Sequence, residues 1–149
     1  MDVGCYNVSA SRLLGGEPER VWGEAWYGPS GTDWVFSGTL RFPGNVLATF
    51  DCATALSERD ELEAIGSEGS LFLDDPWHCL HPVIELRRDG DVERIELEHE
   101  DSYRLELENL SDAITGTAEP LLDREDAVGQ ARTLEALFRS GELAAPVTL

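Results

Sequence analysis

The stretch of sequence that decides the fold is Asp33-Trp34-Val35-Phe36-Ser37-Gly38-Thr39-Leu40-Arg41-Phe42. From Trp34 to Phe42 every second residue is apolar or small, and most of the residues between them are polar. A period of two is typical of a β-strand with one buried face. Pro43-Gly44-Asn45 then predicts a turn, and the alternation resumes from Val46 to Cys52, so that a second strand follows the first.

Five further segments carry strand patterns. They are residues 20–27, 60–66, 70–73, 83–88 and 92–98. Asp89-Gly90 separates the last two segments and is a strong hairpin signal, because both central residues of a type I′ turn need a positive φ. Gly66-Ser67-Glu68-Gly69 is predicted to connect segments 60–66 and 70–73 as a second hairpin.

Three segments have helical patterns. They run from Cys5 to Leu14, from Tyr103 to Ile114 and from Ala127 to Phe138. Gly15-Gly16 ends the first, and Ser140-Gly141 is predicted to end the third. Asp101 and Asp123 precede the second and third helices as N-cap candidates. In both of these helices apolar residues recur at i, i+4, i+7 and i+11, which gives each helix one apolar stripe.

The order of these elements predicts an α+β fold. One helix, a run of strands and then two helices favour an open, mostly antiparallel sheet with the helices packed on one face. A length of 149 residues fits a single domain over residues 1–149. Trp22, Trp26 and Trp34 are expected to form an apolar patch on the other sheet face, and such a patch favours self-association.

The composition excludes several classes of protein. The chain has 30 acidic residues against 11 basic ones, all of them arginine, and a net charge of −19. This charge disfavours nucleic-acid binding, and the lack of lysine excludes catalysis by a lysine of this chain. No apolar run is long enough for a membrane span. With 42% hydrophobic residues the chain is also too apolar to be disordered.

The cysteine and histidine residues carry further expectations. Three widely spaced cysteines and the lack of a signal-peptide pattern predict a reducing, cytoplasmic location without disulfides. The segment from Trp77 to His81 holds three metal-ligand candidates, but zinc sites draw on two separated pairs. No second pair exists in the sequence, so we expect no metal site. The acidic stretch 93–101 is interpreted as the solvated face of a strand that enters a helix.

Short motifs along nearly the whole chain, in their order and spacing, resemble one family of enzymes. They are Asp2-Val3-Gly4-Cys5-Tyr6, Leu14-Gly15-Gly16-Glu17-Pro18, Ser30-Gly31-Thr32-Asp33, Phe42-Pro43-Gly44, Gly66-Ser67-Glu68-Gly69-Ser70-Leu71 and the Asp126-Ala127, Gln130, Leu134-Glu135-Ala136-Leu137 and Ser140 pattern. The chain resembles the C-terminal domain of the Gfo/Idh/MocA oxidoreductases, a family named after glucose–fructose oxidoreductase, inositol dehydrogenase and a rhizopine catabolism protein.

The resemblance implies one half of a two-domain enzyme. In this family an N-terminal Rossmann domain holds NAD or NADP, and the C-terminal domain supplies the substrate wall and the oligomer interface. Hydride passes between the nicotinamide and a carbon of a sugar, a polyol or a related hydroxy or carbonyl compound. The chain is then expected to form a homo-oligomer, a dimer or tetramer, through its sheet face, and to meet a small sugar-like substrate.

The resemblance also implies site residues. The family motif Asp-x-Gly-x-His/Tyr maps onto Asp2, Gly4 and Tyr6, which places Asp2 and Tyr6 at catalytic positions. Tyrosine is the residue of the glucose–fructose oxidoreductase and dihydrodiol dehydrogenase branches, and Ser9 stands where the histidine-type branches carry an aspartate. In the family, a loop after the glycine-flanked hairpin can face the substrate, so the resemblance makes Trp77 and His78 candidate substrate contacts. Packing in the core or in the loop is the alternative interpretation of both residues.

The chemistry fits these residue types. Hydride transfer to a carbonyl builds negative charge on oxygen, and a positioned hydroxyl can donate the proton. A free tyrosine has a pKa of about 10, so a tyrosine base needs a positive charge nearby. In the family that charge is commonly a lysine in a Glu-Lys-Pro motif of the Rossmann domain. This sequence contains neither that motif nor Gly-x-Gly-x-x-Gly.

The chain is therefore expected to bind no NAD or NADP and to be inactive alone. Family members commonly place Gly-Gly-Gly-Ala-Leu-Met before this aspartate, so the resemblance implies that Met1 corresponds to an internal methionine and that the chain is truncated. Two alternatives stay open. One is a stand-alone, non-enzymatic module that keeps the fold for self-association or partner binding. The other is a module that binds a sugar-like ligand without a cofactor.

Overall fold

Three α-helices and eight β-strands make up the chain in the computed structural model, which describes residues 1–149. The helices are α1 (Gly4–Gly15), α2 (Ser102–Thr115) and α3 (Arg124–Leu143). The strands are β1 (Arg20–Tyr27), β2 (Asp33–Arg41), β3 (Leu47–Ala53), β4 (Leu62–Gly66), β5 (Gly69–Leu73), β6 (Val83–Arg88), β7 (Asp91–Glu96) and β8 (Val147–Thr148). The chain divides into two compact units, a first unit of Met1–Ser57 and Leu122–Leu149 and a second unit of Glu58–Leu121.

The first unit contains α1, α3 and an antiparallel sheet with the strand order β3-β2-β1-β8. The predicted alternation decides its buried face, since Phe36 and Leu40 of β2 are fully buried whereas Ser37 is exposed. Val8 of α1 and Leu137 of α3 join the same core. Both helices thus cover one face of this sheet, and the predicted α+β class is confirmed.

Gly23 of β1 lets α3 lie directly on the sheet. A Cβ atom at this position would lie 2.4 Å from the carbonyl oxygen of Leu137, so a side chain would push the helix away. The Gly23 N–H instead donates a hydrogen bond to Ser140 Oγ at 3.0 Å. The prediction that Ser140-Gly141 ends the third helix is wrong, because Ser140 serves this contact and α3 continues to Leu143.

The second unit contains α2 and an antiparallel sheet with the strand order β4-β5-β6-β7. Both predicted hairpins are confirmed, with Gly66 opposite Gly69 in one and Arg88 opposite Asp91 in the other. The Asp101 side chain caps α2 by accepting hydrogen bonds from two backbone N–H groups of its first turn. No residue of this unit is buried.

The apolar stripe of α2 has the predicted spacing but lies exposed. Between 54% and 76% of the surface of each member is accessible: Tyr103, Leu107, Leu110 and Ile114. The strands that the sequence assigns to one open sheet are divided between two four-stranded sheets, since β3 pairs only with β2 and β4 pairs only with β5. None of the three helices combines the length and the apolar character that crossing a membrane requires.

Candidate functional site

Asp2 and Tyr6 lie at the beginning of α1 in the first unit. Asp2 precedes the helix, and Tyr6 is its third residue. The Tyr6 N–H donates to the carbonyl oxygen of Val3 at 3.4 Å, and the Cys5 thiol donates to that of Asp2 at 2.9 Å. The motif therefore folds as a first helical turn. Tyr6 is 53% exposed, so its side chain is accessible from outside.

A buried arginine holds α1 in place. Arg12 Nη2 lies 2.5 Å from Glu17 Oε1, and Arg12 Nη1 lies 2.8 Å from Asp126 Oδ1 of α3. Burial lowers the pKa of the guanidinium, but the hydrogen bond and charge of Glu17, together with Asp126, outweigh burial and raise the pKa above its ordinary value. Gly129 makes room for this group, because a Cβ there would lie 2.4 Å from Arg12 Nη2.

Gln130 extends this network to the turn that carries Tyr6. Its Oε1 accepts a hydrogen bond from Arg12 Nη1 at 3.2 Å, and its Nε2 donates to the carbonyl oxygen of Cys5 at 2.8 Å. Glu17, Asp126 and Gln130 belong to the motifs that carry the family resemblance. Their role here is to fasten α1 to α3, which fixes the position of the first helical turn.

The start of the chain is tied to β2. The N-terminal ammonium of Met1 lies 2.6 Å from Asp33 Oδ1, and both groups are little exposed. Burial of the nearby Cys52 thiol, with the charge of Asp33, raises its pKa to about 11. A thiol that stays protonated is a poor nucleophile, so Cys52 is a packing residue of this unit.

Trp77 and His78 lie in the second unit, on a loop that Asp75 organises. Asp75 Oδ1 accepts the N–H of His78 at 3.1 Å, and Oδ2 accepts those of Leu80 at 2.5 Å and His81 at 3.2 Å. Desolvation raises the pKa of Asp75, but these three hydrogen bonds outweigh desolvation and lower the pKa below its ordinary value. Asp75 thus fixes the backbone of this loop on both sides of Cys79.

His78 faces two carboxylates. Its Nδ1 lies 3.1 Å from Asp60 Oδ2 and 3.7 Å from Asp75 Oδ1, while 57% of its side chain is exposed. Trp77, the preceding residue, is half-buried. Sequence reasoning missed Asp60, because it precedes His78 by eighteen residues in a segment without a motif. The structure therefore brings His78 together with Asp60 and Asp75, while Asp2 and Tyr6 belong to the other unit.

The same cluster is the metal-ligand candidate of the fold. Asp60, Asp75 and His78 each offer one ligand atom, and these atoms lie within 4.8 Å of one another. Both carboxylate oxygens of Asp75 already accept backbone hydrogen bonds, which explains their position without a cation. Of the three ligand candidates between Trp77 and His81, only His78 belongs to this cluster, and His81 contributes only its backbone N–H to Asp75.

The sheet of the first unit exposes tryptophans on the face opposite its helices. Trp22 and Trp26 alternate with the buried Val21 and Gly23 of β1, and both are exposed. The rings of Trp26 and Trp34 meet edge to face with centroids 5.8 Å apart, and Trp34 is half-buried. Two of the three predicted patch residues are thus exposed on this outward sheet face.

Comparisons with known proteins identify relatives of this chain. The sequence model described as the GFO/IDH/MocA C-terminal domain matches residues 1–72. A D-xylose 1-dehydrogenase (NADP(+)) of Haloferax volcanii is 32% identical over 155 residues, which cover 100% of this chain and 47% of that protein. The chain belongs to the Gfo/Idh/MocA family. An uncharacterized oxidoreductase of Rhizobium meliloti is 31% identical and covers 95% of the chain and 45% of its own length.

Among solved structures of the fold, an aldose-aldose oxidoreductase from Caulobacter crescentus, crystallised with glycerol, superimposes with a TM-score of 0.87. It is 21% identical, and the match covers 98% of this chain and 46% of that one. This likeness shows the fold. The chain thus spans about half the length of the family relatives it matches, and it corresponds to their C-terminal domain.

Proposed function

We propose that this chain is the substrate-binding and oligomer-forming half of an NAD(P)-dependent oxidoreductase that acts on a sugar, a polyol or a related compound. The observation that carries the proposal is the match to the NADP-dependent xylose dehydrogenase of Haloferax volcanii, which extends over the whole chain at 32% identity. The tyrosine-type motif supports the same function, because its residues form the first turn of a helix anchored by Arg12 and Gln130.

The residues of this chain do not fit a dinucleotide cofactor. Dinucleotide-binding folds place a glycine-rich turn between a parallel strand and a helix, whereas all strand pairs here are antiparallel. We therefore assign no hydride-transfer step to this chain. Its proposed chemical contribution is the Tyr6 hydroxyl, which exchanges a proton with the substrate oxygen, and the Asp2 carboxylate at the neighbouring motif position.

The substrate half of the proposal rests on the second unit. Trp77 supplies an aromatic surface, and His78 supplies a polar group held by Asp60 and Asp75. Ligand sites commonly combine apolar side chains with a few fixed polar groups in this way. A sugar or polyol, which offers both hydroxyl groups and C–H surface, suits such a pair.

Paired titrations of the chain test this proposal. Tryptophan fluorescence should show no binding of NAD or NADP at micromolar concentrations, and the chain should not reduce NADP⁺ in the presence of D-xylose. The Haloferax dehydrogenase serves as the positive control for both measurements. Clear micromolar binding of NADP⁺ to this chain would contradict the proposal that it forms only the substrate-binding half of the enzyme.

Self-association belongs to the proposal as well. The exposed Trp22 and Trp26 on the outward sheet face favour a homodimer or tetramer, because exposed apolar patches commonly mark interaction surfaces. The same two residues also suit the second candidate, a non-enzymatic module that self-associates through this face. Light scattering that shows a strict monomer at high protein concentration would count against both versions.

A further inference from the structure

We propose that Asp60 and Asp75 hold the His78 ring with its proton on Nδ1, which leaves Nε2 as the acceptor for a hydroxyl group of a neutral, sugar-like ligand. This inference rests on the proposed function. It adds Asp60 as a positioning residue, which acts on the ligand only through His78.

The loop that carries His78 is fixed from several sides. Asp75 accepts three backbone N–H groups of residues 78–81, so both of its oxygens are committed to the loop. Cys79 lies in the left-handed region with a φ of 54°, which a non-glycine residue adopts only when its surroundings hold it there. The backbone of His78 is therefore held on both sides before any ligand arrives.

The ring of His78 has a defined electrostatic environment. A neutral imidazole has one N–H donor and one lone-pair acceptor, and neighbouring groups decide which nitrogen is which. Carboxylate oxygens lie 3.1 Å and 3.7 Å from Nδ1, so a lone pair there would face two negative charges. A proton on Nδ1 is attracted by the same charges. Nε2 then keeps its lone pair, on a side chain that is 57% exposed.

The surrounding charge narrows the class of ligand. Asp60 and Asp75 stand next to the ring, and the chain carries a net charge of −19. A phosphate or carboxylate ligand would be repelled by these groups, whereas a neutral polyhydroxy compound would not. A hydroxyl donor also matches the acceptor that Nε2 presents, and Trp77 stands directly before His78 in the loop.

Nitrogen-detected NMR of the three histidines tests the inference without a ligand. In the native chain, at a pH where the ring is neutral, the His78 signals should show the Nδ1–H tautomer. Asp60→Asn should shift the population toward the Nε2–H tautomer, and the neighbouring Asp74→Asn should not. Amide spectra of each variant establish that the fold is retained, and His78→Asn assigns the signals. An Nε2–H tautomer in the native chain, or a tautomer that ignores Asp60→Asn, would overturn the role of Asp60.

A D-xylose titration of the same samples tests the ligand part. Xylose should perturb the Nε2 signal of His78, and Asp60→Asn should weaken its binding about three- to tenfold, as expected for one hydrogen bond. Binding that leaves the His78 signals unchanged would overturn the assignment of Nε2. An absence of xylose binding would remove the substrate part of the proposed function, while the tautomer would still decide the role of Asp60. Displacement of the Nδ1 proton by micromolar Zn²⁺ would assign the cluster to a metal instead and contradict the inference.

Discussion

The two units of the chain carry similar amphipathic patterns but bury them differently. In the first unit eight hydrophobic side chains are buried between one sheet face and two helices. In the second unit no residue is buried, and the apolar stripe of α2 lies exposed. A periodic pattern therefore predicts which residues share a face, but it does not predict whether another layer covers that face.

The polar clusters of the two units also differ in burial. The guanidinium of Arg12 is buried and joins α1 to α3 through Glu17, Asp126 and Gln130. The carboxylate of Asp75 organises an exposed loop that presents His78. The first cluster fastens one helix to another, whereas the second leaves the side chain of His78 exposed. We therefore expect substitutions in the first cluster to lower the stability of the fold and substitutions in the second to change ligand binding.

The largest expected effect is the loss of a core side chain of the first unit. Phe36→Ala should lower the free energy of unfolding by about 3–5 kcal/mol, because Phe36 is fully buried against Phe50 and Phe138. The matched control is Leu107→Ala on the exposed stripe of α2, with an expected change of about 0.5 kcal/mol or less. Urea unfolding measures both, and equal losses would contradict the difference between the units.

The next largest effect concerns the buried arginine. Arg12→Ala should lower the free energy of unfolding by about 1–3 kcal/mol, less than for a fully enclosed ion pair because Glu17 and Asp126 retain contact with water. Arg132→Ala, on the exposed side of α3, is the control and should change the stability little. If the two variants unfold at the same urea concentration, the network of Arg12 does not stabilise the first unit.

Local patterns predicted most of the elements, and the remaining ones depend on distant partners. The alternation of residues 33–42 and the caps Asp101 and Asp123 are local signals, and each is confirmed by the structure. β8 is only two residues long and forms by pairing with Arg20 and Val21, which no local pattern reveals.

The candidate sites show the same limit. The motif at Asp2 and Tyr6 is identified through the family resemblance, whereas the contact between Asp60 and His78 joins residues eighteen positions apart that no motif links. The sequence also does not predict the role of Arg12, because its partners Glu17 and Asp126 lie in a loop and on a distant helix. Sequence identified the family motifs, and the structure shows which of them hold the fold.

A third prediction compares the two exposed apolar surfaces. Trp22→Thr should weaken self-association about tenfold, because a central tryptophan commonly dominates an interface. Leu107→Thr, on the stripe of α2, should leave the association unchanged. Raising the salt concentration to about 1 M should strengthen association, since it shortens the Debye length to about 3 Å and screens the −19 charge of each chain. Sedimentation velocity measures the association of each variant. If Leu107→Thr weakened self-association and Trp22→Thr did not, the interface would lie on the stripe of α2 and not on the outward sheet face.

The smallest expected effect is local and depends on pH. The pKa of Asp75 in the folded chain lies below its ordinary value of 3.8, so its contribution to the loop is complete above that value. It is lost as the pH falls through the lowered pKa, because the protonated carboxyl no longer binds the N–H groups as strongly. The amide signal of Leu80 should therefore titrate below pH 3.8. Asp75→Asn should abolish this titration and Asp74→Asn should not; an unchanged profile would contradict the loop geometry.

The central proposal is that the Tyr6 hydroxyl exchanges a proton with the substrate of an NAD(P)-dependent oxidoreductase. Its most direct test is to sequence the gene upstream of Met1, to express any reading frame that continues there together with this chain, and to measure NADP⁺ reduction with D-xylose. We expect this frame to encode a glycine-rich dinucleotide motif and Glu-Lys-Pro, and Tyr6→Phe to lower kcat by about 10²–10⁴-fold while changing KM little. A stop codon with a genuine start signal before Met1, or a kcat that Tyr6→Phe leaves unchanged, would contradict the claim.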